Sequence, residues 1–241
     1  MLKAVFFDAA GTLFDAREPV GHTYARIARQ HGLAADDDAV SAGFRRAFAS
    51  TPGLAFGPGR HADEIRRLER EWWYALVRRS FEGLGEFDSF DGFFAELFAY
   101  FGAPASWMAL PEAHSVLQGL KDTNLKLGII SNFDHRLYHI LDGLGLRPFF
   151  DSVTISSEAG YAKPAAQIFA TALSSLQVTA AEAVHVGDSE RMDVRGAQDA
   201  GLRAILIDVG LNGAHAATGD GAARVSSLAE VIEVMRLLRF T

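Results

Sequence analysis

VFFDAAGTLF, residues 5–14, sets an apolar run against a single carboxylate, Asp8, and follows it with two alanines, a glycine and a threonine. A short run that is apolar at every position suits a strand covered on both faces, the environment of a parallel sheet flanked by helices. A carboxylate at the carboxyl end of such a strand stands where open α/β sheets bind ligands. Working outward from this first strand, expected over Ala4–Phe7, four more runs read the same way: Leu125–Ile130, Ser152–Ile155, Ala183–Val186 and Ala204–Ile207. Helical stretches Glu112–Lys121, His135–Gly143, Ala165–Leu176 and Asp193–Ala200 precede them in turn. The alternation predicts an α/β fold, a Rossmann-like parallel sheet with helices on both faces.

Residues 17–105 carry a different pattern. No strand signal is found there. Phe93, Phe94, Leu97, Phe98 and Phe101 share one helical stripe, and Ile65, Leu68, Trp72 and Leu76 share another. Such stripes are expected to form the core of a helix bundle. TPGLAFGPGR, residues 51–60, is a Gly/Pro-rich loop within it. The expected organisation is an α/β core of residues 1–16 and 106–241, with an α-helical cap of residues 17–105 inserted after the first strand.

Composition limits the function classes. A chain of 241 residues can bury a substantial core. Its net charge of −7 disfavours nucleic acid as a partner, because bulk attraction to phosphates needs the opposite sign. There is no cysteine, which removes disulfides and thiolate metal sites. No apolar run approaches the roughly 20 residues that span a bilayer, and the opening residues lack a signal-peptide pattern. The expectation is a soluble cytoplasmic protein with no membrane or nucleic-acid partner. Nothing in the composition speaks to oligomeric state.

Four strand ends bring chemistry-bearing residues to one edge of the expected sheet. Asp8 ends the first strand, and Ser131 with Asn132 ends the second. Lys163 precedes Pro164 after the third, and VGDSERMD after the fourth supplies Asp188 and Asp193. A short carboxylate such as Asp8 suits in-line attack on an electrophile. The Thr12 hydroxyl is placed to orient it. Ser131 offers a hydroxyl donor, with the Asn132 N–H beside it, and Lys163 supplies a point charge for an anion and for Asp8. Asp8 and Asp188 make an oxygen site suited to Mg²⁺, with Asp193 placed to hold one of the ion's waters. Each residue alone has an ordinary structural explanation as a helix cap, a turn residue or a solvated charge. Their joint placement at successive strand ends favours function.

FFDAAGTLF (6–14), LGIISN (127–132), YAKPAAQIF (161–169) and HVGDSERMD (185–193) together resemble the four signature segments of the haloacid dehalogenase-like hydrolase superfamily, in order across the whole α/β part. The resemblance implies a Mg²⁺-dependent phosphatase acting on a small phosphorylated molecule. Asp8 would attack phosphorus and form an aspartyl-phosphate that water hydrolyses. Ser131, Asn132 and Lys163 would hold the phosphoryl group. Asp8, Asp188 and Asp193 would serve the metal, and Ala10 would contribute its main-chain carbonyl.

Ala10 is the departure. Phosphatases of this superfamily usually carry an aspartate there as general acid and base, a contribution worth roughly 10²–10⁴-fold. Alanine transfers no proton. The position is compatible with a phosphatase for good leaving groups, or one that takes its acid from Asp15, His22 or His61. It is also compatible with a member that binds a ligand or partner without turnover. A third option is carbon chemistry. Haloacid dehalogenases of the superfamily also lack the second aspartate but work without metal, and Asp188 and Asp193 facing Asp8 with no cation would repel it. Phosphonate hydrolases need a cap lysine, and none lies between Lys3 and Lys121.

Overall fold

The computed structural model describes residues 1–208 and 222–239. Among the described residues the strands are β1 (Ala4–Phe7), β2 (Phe14–Ala16), β3 (Trp107–Ala109), β4 (Lys126–Ser131), β5 (Ser152–Ile155), β6 (Ala183–Gly187), β7 (Arg203–Ile207) and β8 (Ala223–Val225). Six of them form one sheet in the order β5-β4-β1-β6-β7-β8, with every pairing parallel. The α/β architecture and all five expected strands are therefore present, each within a residue of its expected ends. The sheet gains a sixth strand, β8, at its edge. With only three residues and a central arginine, β8 lacks the continuous apolar run that marks the others.

Side chains alternate across the sheet and so divide its burial. Val5 and Phe7 of β1 enter one apolar cluster, while Ala4 and Phe6 enter the other. The first face is covered by α5 (Ala113–Lys121), α6 (Arg136–Gly143) and α10 (Leu228–Arg239). The second is covered by α8 (Ala166–Leu176) and α9 (Gly196–Asp199), which come after the short α7 (Ser156–Ala159) that follows β5. The expected helix over Asp193–Ala200 is corrected: a π-helical segment spans Glu190–Arg195, and only then does α9 begin. Asp193 is buried on this wide turn. π-turns of this kind recur where a side chain must be aimed at a site.

Between β2 and β3 run α1 (Val20–Gln30), α2 (Asp37–Ser50), α3 (Ala62–Ser80) and α4 (Phe90–Gly102). They share their own apolar cluster, centred on Tyr24, Ile27, Val77, Phe93, Phe94 and Leu97. β2 and β3 pair antiparallel where the chain leaves for these helices and returns. Arg17 bridges the same junction, donating from Nε to the Ala105 carbonyl at 3.0 Å. The pair is only three residues long, too short to show alternation in sequence. Among the described residues, no helix is long and apolar enough to cross a membrane.

Candidate functional site

β1 lies at the centre of the sheet, between β4 and β6, so the residues that follow these three strands meet at one edge. Phe7 is level with Ile129 and with Val186. Asp8 therefore emerges between the Ser131 end of β4 and the Asp188 end of β6, its N–H donating to the Val186 carbonyl at 2.8 Å. One carboxylate oxygen from each of Asp8, Asp188 and Asp193 lies within 4.8 Å of the others.

Lys163 enters this acidic group from the loop after β5. Its buried ammonium lies 2.8 Å from Asp8 Oδ1 and 2.5 Å from Asp193 Oδ1. The Asp8 contact is an ion pair without hydrogen-bond alignment, whereas Asp193 accepts a hydrogen bond. Burial pulls the Lys163 pKa down, but the charges of Asp8 and Asp193 outweigh it and hold the group above the ordinary lysine value. Burial pushes Asp193 the other way from its partners, yet Lys163 and then His185 hold its carboxyl well below the usual range. Asp188 keeps an exposed surface, but the protein packed around its other faces, followed by the charges of Asp8 and Asp193, pushes it up to about 6. Three carboxylates facing one ammonium leave negative charge in surplus. The donors are all hard oxygens, as Mg²⁺ requires, so the residues present fit that ion.

Two glycines permit this crowding. Gly11 has φ of +84°, and a Cβ there would stand 2.6 Å from Asp188 Oδ2. A Cβ on Gly187 would stand 2.2 Å from Asp193 Cγ. Either addition would collide with a carboxylate of the cluster.

The other expected residues sort as follows. Ser131 is buried and lines a cavity of about 1040 Å³ together with Asp8, Ala10, Asn132 and Lys163. The Asn132 side chain is committed to the Lys163 backbone: Nδ2 donates to its carbonyl at 3.0 Å, and Oδ1 accepts from its N–H at 2.7 Å. It thereby fixes the loop that carries the ammonium. Thr12 differs from expectation, since its buried hydroxyl has no hydrogen-bond partner and so does not orient Asp8. The turn Ala9–Leu13, closed by the Leu13 N–H to the Ala9 carbonyl at 2.8 Å, draws Thr12 into the interior instead.

None of the three candidate replacement acids lines the Asp8 cavity. His22 is held by Asp37 at 2.6 Å, and His61 is exposed at the start of α3. Asp15 accepts from the Ala16 N–H at 2.7 Å and borders a separate apolar cavity. Arg45 and Arg46 are exposed and line neither cavity.

Several contributors were missed. His185 sits inside β6 and donates from Nε2 to Asp193 Oδ1 at 2.8 Å, while Ser189 N–H holds the other oxygen at 3.0 Å. A lone polar residue in the run AVHVG was the available signal. The Gly/Pro loop reaches the cavity with Pro52, Gly53 and Leu54, tied down by Ser156 Oγ to the Leu54 carbonyl at 2.6 Å. Trp73 of α3 donates to Asp134 Oδ2 at 2.6 Å, and Asp134 in turn pairs with Arg136. Beside them, buried Glu69 of α3 holds both the ring and the backbone N–H of His135. These contacts fasten α3 to the loop after β4, and spacing in sequence carries no sign of them because the partners are 61 to 66 residues apart.

The His135 contact has a pH signature. The Glu69 hydrogen bond raises the His135 pKa, with burial opposing it. A raised histidine contributes its stability in full below the unfolded value near 6.5 and loses it as pH rises through the folded value. The melting temperature is expected to fall more between about pH 6 and about pH 9 in the native chain than in His135→Asn. Parallel pH profiles for the two proteins would refute this.

Comparison with known proteins follows the same lines. The family model for haloacid dehalogenase-like hydrolase matches residues 2–201. Haloacid dehalogenase-like hydrolase domain-containing protein 3 of Bos taurus is 35% identical over 212 residues, covering 86% of this chain and 82% of that protein. The crystal structure of a HAD phosphatase from Thermococcus onnurineus superposes with a TM-score of 0.65 at 25% identity, covering 97% of this chain and 98% of the other. The L-2-haloacid dehalogenase from Xanthobacter autotrophicus shares the fold with a TM-score of 0.69 at 23% identity, covering 98% and 99% of the two chains.

Proposed function

The chain belongs to the haloacid dehalogenase-like hydrolase family, and from that premise we propose that it is a Mg²⁺-dependent phosphatase of a small phosphorylated metabolite. The observation that carries this is the convergence of Asp8, Asp188 and Asp193 on one strand-end cavity, around a single buried lysine. Asp8, Asp188 and the Ala10 carbonyl would hold the ion, which supplies positive charge opposite the phosphoryl oxygens. Asp193 is committed to Lys163, His185 and Ser189, so its part is to position the ammonium beside Asp8.

In this reading an Asp8 oxygen attacks phosphorus while Lys163 and the Ser131 hydroxyl receive the phosphoryl oxygens. The ester oxygen leaves with its bonding electrons, and water then cleaves the aspartyl-phosphate. The helices α1–α4, with Trp72, Trp73 and the Pro52–Leu54 turn facing the cavity, act as the cap that limits water access. The absence of a proton donor at residue 10 points to substrates whose leaving group needs none.

Trapping the intermediate tests this. Incubation with acetyl phosphate and Mg²⁺, acid quenching and borohydride reduction should convert Asp8 to homoserine, read by mass spectrometry of the peptide that contains it. Turnover with no modification at Asp8 would reject the mechanism. Displacement of halide from carbon is a second reading, favoured only by the missing aspartate at Ala10. Metal-independent halide release from 2-chloropropionate would select it.

A further inference from the structure

The cavity that borders Asp15 is separate from the acidic one and different in kind. It holds about 200 Å³ and is walled by Phe44, Phe94, Phe98, Phe101 and Trp107 from α2, α4 and β3. An apolar cavity of ~150 Å³ is already large enough to take benzene. Two charges stand on its rim: Asp15 is exposed and accepts from the Ala16 N–H, and Arg136 is held in place by the protein. Arg136 is paired with Asp134 and donates to the Phe98 carbonyl at 3.1 Å, with its guanidinium 3.9 Å from the Phe98 ring centre. The guanidinium therefore backs an aromatic wall.

Three residues, Ala10, Trp73 and Phe133, line both this cavity and the one that contains Asp8. Ala10 is thus the small residue at the junction between the nucleophile and an aromatic chamber. An aspartate at this position would set a charged carboxylate against the chamber. The residue that costs the site its proton donor is also the one that keeps the boundary shared by the two cavities apolar.

We infer that the chamber receives the leaving group and that the substrates are aryl phosphate monoesters. This rests on the phosphatase reading above and specifies its substrate class. The chemistry supports both halves. A phenol ionises near pH 10, as tyrosine does, whereas an alcohol holds its proton about as firmly as water, with a pKa near ~15.7. An aryloxide can depart with the electron pair of the broken P–O bond while the Asp8 oxygen forms the new one. It then takes its proton from water, so no acid at residue 10 is needed. The flat ring stacks in a chamber built of flat rings.

The test compares phenyl phosphate, cyclohexyl phosphate and acetyl phosphate as substrates, and separately measures binding of phenylphosphonate against methylphosphonate by quenching of tryptophan fluorescence. Phenyl phosphate should exceed cyclohexyl phosphate in kcat/KM by at least about a hundredfold, since the two rings have the same number of carbons but differ in leaving group and in flatness. Phenylphosphonate should bind at least about tenfold more tightly than methylphosphonate. Val20→Phe and Ala16→Leu each place bulk in the chamber. Each should lower the ratio of phenyl to acetyl phosphate kcat/KM by about tenfold or more, and weaken phenylphosphonate in parallel.

If both folded variants leave that ratio and the phenylphosphonate preference unchanged, the inference is overturned. Equal turnover of phenyl and cyclohexyl phosphate would also overturn it. Silence on every phosphate, with phenylphosphonate preference intact and lost in the variants, would sink the phosphatase reading while keeping the chamber as an aromatic-anion site.

Discussion

Asp8→Asn is expected to abolish turnover of every phosphate that the native protein hydrolyses, a loss on the order of 10⁴-fold or more. Losses of this size accompany removal of the nucleophile in other covalent enzymes. The substitution preserves shape and the backbone bond to Val186, but an amide oxygen cannot form the aspartyl-phosphate. It also removes one of the charges that raise Asp188, so the Asp188 carboxyl should titrate closer to the ordinary carboxylate range. Lys163 keeps Asp193 as its partner, so the fold is expected to survive. The measurement is therefore double: phosphate release against acetyl phosphate, and the carbonyl resonance of Asp188 followed through pH. Residual turnover within about tenfold of native would show that another group attacks phosphorus. An Asp188 midpoint that does not move would show that the three carboxylates are not electrostatically linked.

The success and failure of sequence reading divide along a physical line. Strands β1, β4, β5, β6 and β7 are buried on both faces, so their residues must be apolar in succession, and that requirement is visible without coordinates. The residues at their ends inherit their position from the strands, which is why Asp8, Ser131, Asn132, Lys163, Asp188 and Asp193 could be named together. What these side chains touch was less legible. Thr12 turns inward, and Asn132 spends its amide on the Lys163 backbone. Both outcomes depend on the path of a turn, which residue type does not specify. The aromatic chamber was invisible for a related reason. Phe44, Phe94, Phe98 and Trp107 are spaced like ordinary core residues, and only three-dimensional packing shows that a cavity remains among them beside Ala10.

Lys163→Met is expected to destabilise the protein by roughly 3–5 kcal/mol, the usual cost of removing one partner from a buried ion pair. Its ammonium is buried between Asp8 and Asp193, and no other lysine or arginine is ion-paired to either carboxylate among the described residues. Methionine fills the same space but leaves Asp193 with only His185 and the Ser189 N–H, and takes from Asp8 its ion-pair partner. The sign of the pH dependence makes this distinctive. In the native chain Asp193 lies below its unfolded value of about 3.9, so its stabilising share is present above that pH and is lost on acidification. Lys163 lies above its unfolded value of about 10.4, so its share is present below that pH and is lost at higher pH. The pair thus supports a plateau across neutrality. Without the ammonium, burial and the neighbouring carboxylates should raise Asp193 above its unfolded value, and the acid limb reverses. Lys163→Met should then gain stability, relative to its own value at neutral pH, as the pH falls toward about 5, where the native chain holds level or loses. Chemical denaturation at a series of pH values reads both curves. A variant whose curve runs parallel to the native one would mean that Lys163 does not neutralise this cluster, and the electrostatic basis of the proposed site would be lost with it. Phosphate turnover should drop in the same variant by about 10³-fold, because the charge that receives the phosphoryl oxygens is the one that holds Asp8 in place.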